Sequence, residues 1–94
     1  MVWYNRGVRI EWHTHAKQRV RERGIELSRV LETIRAPQQV IGSGVRQTLQ
    51  RQYVGPTRRN TYLLRVFVEV HGDVTLVRSV YRTSKIGKYW RDDA

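Results

Sequence analysis

The sequence predicts an α+β domain, two helices near the N-terminus followed by antiparallel strands. Three observations predict it. Helical spacing of apolar residues is confined to positions 12 through 34. From residue 38 onward the pattern changes to short alternating runs broken by Gly, Pro and Asn. A chain of 94 residues has room for one domain, residues 1–94, with a thin core at 39% hydrophobic content.

Val8, Ile10 and Trp12 alternate, which predicts a short strand or extended lead-in. Thr14 is the expected N-cap of the first helix and Gly24 its stop, for a helix of about ten residues. At four-residue spacing Trp12, Ala16 and Val20 form a ridge suited to a core. His15 and Arg19 form a neighbouring ridge at the water line, as a cleft wall would, and as an ordinary helix edge would. Leu27, Val30, Leu31 and Ile34 complete an amphipathic stripe for a second helix, ended by Pro37.

Four strands are expected next. Gln39-Val40-Ile41 precedes a Gly42-Ser43-Gly44 turn, and 48–54 reads as a polar strand with Leu49, Arg51 and Tyr53 on one face. Residues 55–60 form a loop carrying Arg58 and Arg59. The runs 62–70 and 74–83 are the strongest strands, joined at His71-Gly72-Asp73. A three-residue loop there sets Val70 opposite Val74. Leu64, Val66, Val68, Val70, Val74, Leu76 and Val80 then share an apolar face with Arg78, and Arg65, Val77, Tyr81 and Thr83 the other. A two-residue loop shifts this pairing by one.

Charge narrows the partners. Eighteen Lys+Arg against eight Asp+Glu give a net charge of +10, and fifteen of the eighteen are Arg. Guanidinium groups pair bidentately with phosphate and stack on bases, so RNA or an acidic protein is the expected partner. No broad-faced basic amphipathic helix and no apolar run near twenty residues is present, so no membrane partner is expected and the expected location is cytoplasmic. The chain has no cysteine, which excludes disulfides and thiolate metal sites. His13 and His15 lack an obvious third ligand, so neither a metal nor another cofactor is expected.

Two motifs stand out, His15-Ala16-Lys17-Gln18-Arg19-Val20-Arg21-Glu22-Arg23-Gly24-Ile25 and Val80-Tyr81-Arg82-Thr83, with Lys88-Tyr89-Trp90 near the end. Over about residues 13–90 the chain resembles a family of small bacterial domains of unknown function. That family is grouped with the RelE-like ribonuclease superfold of barnase, EndoU, colicin and RelE toxins. The resemblance implies two N-terminal helices packed on a four-stranded antiparallel sheet. It also implies a metal-independent RNase of the toxin–antitoxin kind, held by an acidic or amphipathic antitoxin.

Metal-free RNA cleavage needs a base for the 2′-OH, cations for the phosphorane and an acid for the leaving oxygen. His15 is the expected proton carrier, its ordinary pKa being about 6.5. Arg19, Arg65 and Tyr81 complete the expected catalytic set. Arg23, Arg82, Thr83, Lys85 and Lys88, with the loop pair Arg58 and Arg59, are the expected RNA-binding residues. The same charge also suits a non-catalytic RNA- or ribosome-binding module, and the Arg19-Arg21-Arg23 row also reads as a solvated helix face.

Overall fold

Two strands open the chain, β1 over Trp3–Asn5 and β2 over Val8–Trp12, and helices α1 (Ala16–Glu22) and α2 (Leu27–Arg35) follow. Strands β3 (Gln39–Ile41), β4 (Arg46–Val54), β5 (Thr61–His71) and β6 (Val74–Thr83) come next, and a short helix α3 (Ile86–Tyr89) closes the order. The structure is a computed structural model that describes residues 3–5, 8–55 and 60–92. Arg58 and Arg59 lie outside the described residues.

Among the described residues the strands form one six-stranded sheet in the order β1-β2-β6-β5-β4-β3. This corrects the four-stranded antiparallel sheet expected from the resemblance, although the α+β class stands. The alternating lead-in joins the sheet, and β2 lies parallel to β6, with Ile10 opposite Thr75 and Trp12 opposite Val77. Its inward residue Ile10 is 2% exposed and part of the core. Alternation shows that a segment can be a strand but not which strand it will meet, and β6 would otherwise present a bare edge of backbone donors and acceptors. Pairing with β2 ends at Val77; beyond it, Arg23 Nη1 donates to Val80 O at 2.8 Å and covers part of the open edge.

The first helix starts later than expected. Its N-cap is His15, in the left-handed region at φ 68°, and not Thr14. The Ala16 N–H donates to His13 O at 3.0 Å, a tight turn that lifts the chain off β2. A non-glycine residue in that region is strained by roughly 1–2 kcal/mol. His15→Gly is therefore expected to raise stability by about 1 kcal/mol, read as a higher urea midpoint at unchanged slope. A lower midpoint would show that the His15 side chain stabilises the turn. At the other end Gly24 (φ 67°) does stop the helix, and Arg82 Nη2 donates to Arg23 O at 3.1 Å.

In α2, Val30 is fully buried and Leu31 and Ile34 pack beside it. Thr33 is also fully buried, and its hydroxyl donates to Arg29 O at 2.8 Å. Together with Val20, Ile25, Leu49, Leu64, Val66, Val68, Val77 and Val80 these residues build the core between the helices and one face of the sheet.

The β5–β6 hairpin departs from the expected register twice. Its loop has two residues, Gly72 and Asp73, with His71 opposite Val74, because Gly72 supplies the positive φ (62°) that a tight turn demands. A β-bulge then follows: Val68 faces Val77 but Phe67 faces Ser79, so Arg78 is the extra residue. Val77, expected on the far face, is instead fully buried in the core, while Val74 and Leu76 turn away from it. The two shifts cancel in alternation past the bulge. Arg65 opposite Tyr81 and Leu63 opposite Thr83 therefore do share the face away from α1 and α2.

Candidate nucleic-acid interface

Arg65 sits on the central strand β5, flanked by Gln50 of β4 and Tyr81 of β6 in one cross-strand row. The segment after β6 folds back over this second face, and its anchors are polar. Gln50, fully buried, accepts from Arg65 Nε at 3.0 Å and donates through Nε2 to Gln39 Oε1 at 2.7 Å and Tyr89 O at 3.2 Å. Gln39 in turn accepts from Arg91 N at 3.1 Å and donates to Arg91 O. A buried amide with its donors and acceptor all engaged holds its neighbours in one arrangement.

That arrangement brings Tyr89 onto the row. The Arg65 guanidinium carbon lies 4.3 Å from the Tyr89 ring centroid and 5.3 Å from that of Phe67. Tyr81 meets Tyr89 edge-on, with centroids 5.9 Å apart. Partial burial pushes the Arg65 pKa down, but a guanidinium starts so far above neutrality that it stays charged.

The Tyr81 phenol is pulled below its ordinary value, first by hydrogen bonds from the Thr83 and Tyr89 hydroxyls, then by the charges of Lys88 and Lys85. Thr83 Oγ1 itself accepts the Lys85 N–H at 3.1 Å. Phenolate absorbance in a pH titration should accordingly show one tyrosine ionising before the others, below the ordinary value of about 10. Tyr81→Phe should abolish that early step, and a step that survives the substitution would assign it elsewhere. Since the ionised form is the better held, its stabilisation of the fold is complete above the ordinary value and is lost as pH falls through the lowered one.

The expected catalytic set does not gather in one place. Arg65 and Tyr81 share the second face, whereas the buried residues of α1, Ala16 and Val20, belong to the helix side. His15 and Arg19 are exposed on that helix, and the cavity that Tyr81 lines is shared with Arg23, Ile25 and Arg82 rather than with either of them. Of the expected RNA-binding residues, Thr83, Lys85 and Lys88 surround Tyr81. Arg23 lines a cavity of about 450 Å³ with Tyr81, Ile25 and Arg82 at the open edge of β6. Arg82 itself turns to the helix side, on the carbonyls closing α1.

Sequence reasoning missed Gln39, Gln50 and Tyr89. The basic, aromatic tail carried a signal for Tyr89; two glutamines in a polar strand pattern carried none. Among the described residues no three His, Cys, Asp or Glu side chains gather as a metal set, and no helix is long and apolar enough to cross a membrane.

The fold and site define an α+β domain with a guanidinium–tyrosine row on the face of its sheet away from α1 and α2. No protein-family model, curated protein or solved structure matches the chain.

Proposed function

We propose that the protein binds single-stranded RNA on the second face of the sheet and cleaves it there without a metal. The observation that carries this reading is the row Arg65–Tyr81 with Tyr89, Thr83, Lys85 and Lys88 around it. A guanidinium held at Nε and stacked on a ring offers its Nη pair to a phosphate as a fork. Tyr81, with its lowered pKa, takes the proton of a ribose 2′-OH. The 2′ oxygen bonds to phosphorus, the bond from phosphorus to the 5′ oxygen breaks, and that oxygen takes a proton from a lysine ammonium or water. The products are a 2′,3′-cyclic phosphate and a 5′-hydroxyl. The net charge of +10 and the resemblance to a domain family grouped with ribonuclease toxins support the reading, as would an acidic antitoxin covering this face.

Incubation of the purified chain with single-stranded RNA in EDTA tests it. Wild type should yield cyclic-phosphate ends, at a rate rising with pH toward the lowered Tyr81 pKa. Tyr81→Phe should be about 10²–10⁴-fold slower while still binding RNA. Equal rates for the two proteins would refute the role of Tyr81.

One observation favours a second reading. The row holds guanidinium, ammonium and phenol groups, and none of these ordinarily titrates near neutrality. A non-catalytic RNA- or ribosome-binding module needs nothing more. Intact RNA, bound with an affinity that falls steeply with salt, would select it.

A further inference from the structure

We propose that the hollow beside the Arg65–Tyr81 row, lined by Arg46, Thr48, Phe67, Arg78 and Ser79, is a nucleobase subsite. It takes the base of the nucleotide next to the phosphate held by Arg65. The inference rests on the second face being the RNA-binding face, and deepens it by saying where a base goes.

The hollow measures about 360 Å³, within the range of roughly 300–1,000 Å³ typical of small-ligand clefts. Its floor is the next cross-strand row, Thr48–Phe67–Ser79, in register with Gln50–Arg65–Tyr81. Two residues along a strand advance about 6.4–6.8 Å, so the two rows present their groups one short step apart. Phe67 is half-buried, and the Arg65 guanidinium carbon lies 5.3 Å from its ring centroid. A phosphate on Arg65 and a base on Phe67 therefore belong to neighbouring nucleotides. Aromatic rings accept any base by stacking, and the hydroxyls of Thr48 and Ser79 supply donors and acceptors for its edge.

The rim is cationic and braced. The bulge places Arg78 at the hollow, and its Nη1 pairs with Glu69. Glu69 also meets His71 Nε2 at 3.1 Å and stands opposite Arg46 across the β4–β5 pairing. The carboxylate fixes the direction of Arg78, whose guanidinium has five N–H donors, more than one carboxylate can engage. A bulge that re-aims a side chain toward a cleft is the usual use of such an insertion.

Fluorescence anisotropy with the full chain at low salt tests the proposal, using a labelled RNA hexamer and the same hexamer with abasic sugars. Phe67→Leu should bind the hexamer roughly 5- to 100-fold more weakly and the abasic strand like wild type, with Phe67→Tyr restoring hexamer affinity. Ser79→Ala, on an exposed position, should change the preference among the four homopolymers without altering the melting temperature. Phe67→Leu binding like wild type while Arg65→Ala loses binding would remove the subsite and leave the proposed function standing. Absence of binding by wild type at low salt would remove both.

Discussion

Arg65→Ala is expected to slow RNA cleavage by about 10²–10³-fold, the loss typical when one preorganised donor to a developing oxyanion is removed. The size follows from how the guanidinium is held. Its Nε is committed to Gln50 at 3.0 Å and its guanidinium carbon lies 4.3 Å from the Tyr89 ring centroid, so under the proposed function it would meet the phosphate without first being ordered. Arg65→Lys keeps the charge and forfeits both the fork and the stack, and should recover only part of the rate. Single-turnover cleavage with saturating protein separates chemistry from affinity. A wild-type rate in Arg65→Ala would move the reacting phosphate elsewhere on the surface.

The largest effect on stability is expected at two adjacent leucines. Leu63 and Leu64 are both fully buried although they point to opposite faces of β5. Leu64 faces the helices; Leu63 lies on the face crossed by the segment that Gln50 and Gln39 anchor. Each truncation to alanine should cost about 2–5 kcal/mol, a large share of the roughly 5–15 kcal/mol available to a small domain. The two are distinguishable. In a chain ending at Ser84, Leu63→Ala should cost less by about 1 kcal/mol or more, while Leu64→Ala keeps its full cost. Urea unfolding of the six proteins, the wild type and each leucine variant at both lengths, measures both couplings, and equal coupling would mean that the tail does not shield Leu63.

Much of this was visible in the residues themselves. The stripe of α2, the stop at Gly24 and the four strands β3 to β6 each leave a local pattern. The partner of β2 leaves none, since pairing with β6 joins segments more than sixty residues apart. The hairpin is the more instructive case. Gly72-Asp73 could be told from a three-residue loop only by the pairing beyond it, and the bulge at Arg78 has no apolar signature. Two slips that cancel kept Arg65, Tyr81 and Thr83 together while misplacing Val77. Chemistry and the resemblance group His15 and Arg19 with them, but spacing along a helix does not say which side of a sheet the helix will cover. The glutamines that dock the tail escaped because a buried amide is recognisable only from its partners.

Strand β5 pairs on both edges and is covered on both faces around Leu63 and Leu64. Its amide hydrogens should be among the slowest in the chain to exchange with deuterated solvent, since escape there requires global opening. Arg65 and Phe67 thus stand on a girder and not on a hinge. Under the proposed function, a strand of RNA would meet a surface that does not yield, and whatever bending the encounter demands would fall on the RNA.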